Sequence, residues 1–237
     1  MKKELNFVLQ AKGGVGKSLL TYLLGLAKQT QDSTLFVDVD NSTKTSTRQL
    51  ICLGETRTET LSLLNEKEVL VRDMLVSYLE SLVHLPFQQV YFDFGAPESE
   101  QFPALLERDL PFKEFADVLN FKVKFHIVIG GGGAYKASID YLQKILKALN
   151  NEFEVTVWQS LTTFNNFPTL AKELQTNCQR VGLLLRPFGD FEPSSNLGEQ
   201  ILNGIRQGYG LNEFPTGAKL RLKKELNDHF KDEISHQ

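Results

Sequence analysis

Residues 10–18, Gln-Ala-Lys-Gly-Gly-Val-Gly-Lys-Ser, carry the densest chemistry in the chain. Three glycines within four positions (Gly13, Gly14 and Gly16) let successive backbone N–H groups turn toward an anion. A helix starting behind them adds the positive end of its dipole. In that setting the Lys17 ammonium reaches terminal phosphates as a point charge, and the Ser18 hydroxyl ligates Mg²⁺. The residues expected to contact a nucleotide are Gly13, Gly14, Val15, Gly16, Lys17, Ser18 and Leu19. The usual G-x-x-x-x-G-K-[ST] pattern would place its first glycine at position 11, where this chain has Ala11, and a second lysine, Lys12, precedes the glycine pair. Carboxylates stand at two other strand-like ends: Asp38 and Asp40 after an apolar Leu-Phe-Val run, and Asp93 after Val-Tyr-Phe. Asp93 suits the outer shell of a Mg²⁺ ion that keeps several of its waters.

These groups need rigid elements to hold them together. Residues 5–9 form an apolar run of strand length before the glycine loop, and Leu19, Leu20, Leu23, Leu24 and Ala27 recur behind it at helical spacing. The strand–loop–helix order is the context that makes such a loop bind phosphate. Further strands are expected at 35–37, 60–64, 89–94, 123–129, 153–158 and 181–185. Helices are expected at 17–29, 69–83, 134–149, from Pro168 to 177, 197–206 and 218–234. Another, over 101–119, is expected to be broken by Pro103 and Pro111. The polar stretch 41–48 has the composition of a loop that orders around a ligand. This alternation calls for an α/β fold, one domain over residues 1–237 with a mostly parallel sheet and helices on both faces. In such sheets ligands bind beyond the carboxyl ends of the strands.

Composition narrows the class. At 237 residues, with 41% hydrophobic and 23% charged content, the chain can build one sizeable core. No apolar run approaches the ~20 residues of a membrane span, and the N-terminus lacks a signal-peptide layout, so a cytoplasmic location is expected. Cys52 and Cys178 belong to no C-x-x-C, and the four histidines show no metal-ligand spacing. A net charge of −3 means that nucleic-acid binding would require a local basic patch. The Asn41-Ser42-Thr43 sequon has no meaning without secretion.

The Lys-Gly-Gly-Val-Gly-Lys-Ser loop resembles the deviant P-loop of the ParA/MinD ATPases. The resemblance implies a P-loop NTPase that binds ATP and Mg²⁺ and dimerises around two nucleotides. It gives Lys12 a role across the dimer and makes Lys12, Lys17 and Asp40 the catalytic set. Asp40 would orient the attacking water and sense Mg²⁺, with Asp38 in support, so that Ser18, Asp40 and Asp93 surround the metal. The family usually places proline where this chain has Asn41. Residues 8–18, the Asp93-Phe-Gly-Ala turn, the glycines near 131, Val157-Trp158 and a basic C-terminal helix (about 216–235) are similar in order to the conjugal-transfer TraL proteins. That implies a slow ATPase switch serving conjugation, partition or positioning of a mobile element, with a protein partner from such a system. Two rivals remain: a metabolic P-loop kinase or ligase of the dethiobiotin-synthetase type, and a nucleotide-binding scaffold without turnover.

Other features carry less. The four glycines at 130–133 fail the dinucleotide fingerprint and read as a flexible strand-to-helix turn, with Ser138 an ordinary helix residue. Base contacts stay open among Gln159, Ser160, Asn165 and Asn166. The C-terminal helix has Leu222, Leu226, Phe230 and Ile234 on one face and Lys219, Arg221, Lys223 and Lys224 near its start. Docking on the core, a DNA patch and a membrane-surface helix compete, and docking is favoured because Glu225, Asp228, Asp232 and Glu233 interrupt the basic face.

Overall fold

The computed structural model describes residues 2–40, 45–108 and 111–234. The expected proline position at Asn41, the sequon and the first half of the expected loop lie outside the described residues. In chain order the elements are β1 (Lys3–Leu9), α1 (Lys17–Ala27), β2 (Thr34–Val39), α2 (Thr45–Gln49), β3 (Thr58–Thr60), α3 (Arg72–Leu82), β4 (Gln89–Phe94), α4 (Ala96–Arg108), α5 (Phe112–Val118), β5 (Phe121–Ile129), α6 (Tyr135–Leu149), β6 (Glu154–Ser160), α7 (Leu161–Phe164), α8 (Pro168–Arg180), β7 (Leu184–Phe188), α9 (Asn196–Arg206), α10 (Thr216–His229) and α11 (Lys231–Ile234).

The strands form one seven-stranded parallel sheet in the order β3-β2-β4-β1-β5-β6-β7. Alternation along each strand splits the core in two. Phe7, Phe92 and Phe125 pair in register across β4, β1 and β5, with Phe7 stacked 4.9 Å from Phe92 and 5.3 Å from Phe125. That face is covered by α3, α4, α5, α6 and α8. The other face carries Val8, Tyr91, Val128 and Trp158 under α1, α9 and α10. Every residue of α1 from Leu20 to Ala27 is buried, since the helix lies between the sheet and an outer layer.

A polar chain also crosses that second face. Trp158 Nε1 can only donate, and it donates to His126 Nδ1 at 3.0 Å, which leaves Nε2–H to donate to Asn6 Oδ1 at 3.0 Å. The imidazole is therefore neutral, and burial draws its pKa down to about 4.

Several boundaries differ from expectation for identifiable reasons. Pro103 does not break a helix, because α4 runs through it from Ala96. In an α-helix its missing N–H would have served the Ser99 carbonyl, and Tyr141 Oη donates to that oxygen instead, at 2.9 Å. The last strand starts at Leu184 rather than 181, because α8 ends in a Schellman turn: Gly182 has φ +71, and the Gly182 and Leu183 N–H groups bond to the Gln179 and Cys178 carbonyls. Pro187 is tolerated in β7 because that strand is a sheet edge. The strand expected at 60–64 is instead the three-residue β3, with Leu64 in an isolated bridge to Leu70. Residues 45–49, expected as loop, are helical. The C-terminal helix is interrupted at Phe230, whose ring is buried and stacks on Trp158 at 5.3 Å. Among the described residues no helix is long and apolar enough to cross a membrane.

Tyr141→Phe should cost about 1–2 kcal/mol by urea denaturation, since it orphans a buried carbonyl. Adding Pro103→Ala, which restores an N–H donor, should recover part of that loss.

Candidate functional site

The carboxyl ends of β1, β2 and β4 converge on a cleft of about 460 Å³. Gly13, Gly14, Gly16, Lys17, Ser18, Leu19, Asp40 and Asp93 line it, so most of the residues singled out in the sequence come together. Two do not. Val15 is fully buried, with its side chain under Gly130, so only its backbone is left to meet a ligand. Lys12 is exposed and lies outside the lining of the cleft.

The glycines of the loop serve different ends. Gly14 (φ +75) and Gly16 (φ +103) occupy backbone conformations that side chains resist, and Gly16 is also crowded by Ser160 and Phe188. Gly13 has neither constraint: a Cβ there would meet nothing within 4 Å. The space beside it is open for a ligand to approach the backbone closely.

The loop is anchored from below by Gln10, which is fully buried. Its Nε2 donates to the Val128 carbonyl at 2.8 Å and the Ser138 carbonyl at 3.3 Å, while its Oε1 accepts from the Lys12 N–H at 3.1 Å. Its own N–H donates to Ser99 Oγ at 3.3 Å. Ser138 is thus part of the scaffold, since its hydroxyl also accepts from the Gly130 N–H at 3.3 Å. Two of the glycines after β5 are closely packed: a Cβ on Gly130 would strike Val15, and one on Gly131 the Thr163 carbonyl, whereas one on Gly133 would meet nothing within 4 Å.

Electrostatics set the character of the cleft. Asp38 and Asp93 face each other in register on β2 and β4, and both are buried. Glu98, buried in the first turn of α4, crowds the same spot beside Gly95 as Asp40. Lys17 donates to the Gln10 carbonyl at 2.8 Å. Burial pulls its ammonium below the ordinary lysine range, against the attraction of Asp93, Asp40 and Glu98. Burial also pushes the Asp93 carboxyl up to about 6, opposed by the Ser46 hydroxyl, Lys17 and, more weakly, Ser18. Asp38 is raised by burial too, against hydrogen bonds from Thr47. Ser46 donates to Asp93 Oδ2, whereas among the described residues Asp93 Oδ1 is buried without a hydrogen-bond partner.

Glu98 and Ser46 are the residues that sequence reasoning missed. An acidic residue in a first helical turn is what a helix dipole ordinarily favours, so Glu98 carried no separate signal. Ser46 sat in a polar stretch whose only cue was its serines and threonines. The asparagines considered for base contact are not brought to the cleft: both are exposed, and Asn165 donates to Glu192 at 3.3 Å. Ser160 does reach the loop, packed against Gly16.

No family model matches the sequence, and no curated protein matches it. The structure does match solved ones. The MinD cell division protein of Aquifex aeolicus superposes with a TM-score of 0.54 at 14% identity, covering 94% of this chain and 97% of that one. The MinC:MinD cell division protein complex of the same organism gives 0.52 at 13% identity, over 94% and 96%. The chain has a MinD-like fold. In this fold the glycine loop follows the central strand β1, at the point where the chain turns from β4 on one side to β5 on the other.

Asp93→Asn should stabilise the ligand-free protein at pH 8. A carboxyl raised from 3.8 to about 6 on folding favours the fold fully below pH 3.8 and loses that contribution as pH rises through 6. The gain from removing the charge should approach about 3 kcal/mol above pH 7 and vanish near pH 4. Urea denaturation of both proteins across that range reads it as a difference, in which the other titrating groups cancel.

Proposed function

We propose that the protein is a Mg²⁺-dependent ATPase of the ParA/MinD type, acting as one domain and switching between monomer and nucleotide-bound dimer. The observation that carries this reading is the convergence of Lys17, Ser18, Asp40 and Asp93 on one cleft beside an open glycine backbone.

The residues fit a Mg²⁺–triphosphate. Among the described residues no cluster of three or more His, Cys, Asp or Glu is arranged to hold a metal by itself, so an ion would arrive with phosphate oxygens. The buried, unpartnered Asp93 Oδ1 suits a metal-bound water, and a cleft rich in carboxylates favours a cation. Ser18 would ligate the ion, and Asp40 and Asp93 would hold its water shell. When bound, the ion neutralises charge on the phosphates. Lys17 would leave the Gln10 carbonyl for the β- and γ-phosphates, while the backbone of residues 13–18 cradles them and Leu19 flanks the cleft. Asp40, half-buried at the end of β2, would hold the proton-accepting side of an attacking water. Lys12, exposed on the rim, is free of the cleft's own lining and suits a partner's phosphates.

As a switch, the protein would engage a cargo or protein partner in one nucleotide state and release it in the other. The sequence resemblance to TraL proteins supports a setting in conjugation or maintenance of a mobile element, and the MinD-like fold supports a positioning role. The basic residues of the C-terminal helix give little support to a DNA patch, because Arg221 pairs with Asp190 at 2.7 Å and Lys224 with Asp228.

Molar mass in solution tests the proposal. A dimer with Mg-ATP, absent with Mg-ADP or without nucleotide and lost in Lys12→Ala, is the expected result. A monomer in every state would remove the dimer switch. Phosphate release should fall to background in Asp40→Ala, and Lys17→Ala should weaken binding of a fluorescent ATP analogue about 10- to 100-fold. A dimer without any phosphate release would mark a scaffold instead of an enzyme.

A further inference from the structure

The short helix α2 lies over two buried carboxylates, Asp93 in the lining of the cleft and Asp38 opposite it on β2. Ser46 is itself buried and donates to Asp93 Oδ2. The adjacent Thr47 donates twice to Asp38 Oδ2, from its N–H at 2.8 Å and its hydroxyl at 3.1 Å. Asp38 and Asp93 stand opposite each other on neighbouring strands. One dipeptide therefore grips one oxygen of each acid.

The geometry points to Ser46 as a positioning residue: by holding Asp93 through Oδ2 it presents Oδ1 to the water shell of a nucleotide-bound Mg²⁺. This rests on the reading of the cleft as a Mg-nucleotide site. Two oxygens of a carboxylate exchange places by rotation about the last side-chain torsion. A donor on one of them selects a single orientation. Among the described residues Oδ1 is buried without a hydrogen-bond partner, which leaves it able to accept from a metal-bound water. A Mg²⁺ ion that keeps its waters offers O–H donors, which a fixed acceptor receives at lower entropic cost than a rotating one. Without the Ser46 hydroxyl, Asp93 would be free to turn toward Lys17, whose charge it already feels. The carboxylate would then be shared between metal water and lysine. The chain path matters as well: Ser46 follows Asp40 by six residues, so the segment leaving the proposed water-orienting aspartate is tied to the proposed metal carboxylate. Thr47 performs the equivalent service for Asp38, and its hydroxyl also lies 3.1 Å from that of Thr60 on β3.

A role confined to stability would weaken nucleotide binding equally with and without Mg²⁺. A positioning role acts only through the ion. The test titrates a fluorescent ATP analogue into the full chain in EDTA and at graded MgCl₂. Ser46→Ala should keep the wild-type affinity in EDTA and need about tenfold more Mg²⁺ for the half-maximal effect. Ser46→Thr, which keeps the hydroxyl, should restore the wild-type Mg²⁺ dependence. In an Asp93→Asn background Ser46→Ala should add no further Mg²⁺ defect. Should Ser46→Ala fail to fold by circular dichroism, Ser46→Cys, with similar volume and a weak donor, is read in its place. Equal weakening in EDTA and Mg²⁺, or an unchanged Mg²⁺ dependence, overturns the inference alone. A wild type that binds no nucleotide overturns the reading of the cleft and the inference with it.

Discussion

Two carboxylates buried side by side govern this structure. Asp38 and Asp93 sit opposite each other at the ends of β2 and β4, where burial first and then like charge, from Asp40 on Asp38 and from Asp38 on Asp93, disfavour ionisation. Each neighbouring element relieves part of that cost. Lys17 brings a positive charge from the start of α1, and α2 brings hydroxyl and backbone donors. Asp93 itself lines the same cleft as the bare backbone of Gly13.

Such a site works only if its walls do not relax. Gln10 ties the glycine loop to β5 and α6, and Ser99 ties it to α4, so the loop is bolted to helices on the side of the sheet away from α1. On the near side, α1 is buried along most of its length beneath α9 and α10. The P-loop lysine and serine therefore project from a helix held on every flank. A charge that finds no better partner cannot simply swing out to solvent. This arrangement trades stability for readiness.

The C-terminal residues belong to the fold more than to its surface chemistry. Phe230 stacks on Trp158, and Glu233 lies 3.3 Å from Lys28 and accepts from Tyr91 at 3.0 Å. Glu225, fully buried, accepts from the backbone N–H groups of Gly189 and Asp190 at 2.6 and 3.0 Å. Two of the acids that interrupt the basic face, Glu225 and Glu233, are thus structural in their own right. They anchor α10 and α11 over the sheet and organise the loop after β7.

By itself the sequence determined the glycine loop, the apolar strands and the alternation that leads to a parallel sheet. These are local or periodic signals, set by backbone sterics and by which side chains avoid water. It also marked Lys17, Ser18, Asp40 and Asp93, because their types and strand-end positions announce them before any contact is made. Only the tertiary structure decided that Pro103 stays inside a helix, since the substitute donor, Tyr141, is far away in sequence. Only it showed that Ser46 holds Asp93 and Glu98 sits beside Gly95 and Lys17, that Ser138 supports the loop, and that Asn165 turns to Glu192. Each of these depends on a hydrogen bond or charge between segments that the fold brings together, and no spacing along the chain encodes a partner's direction.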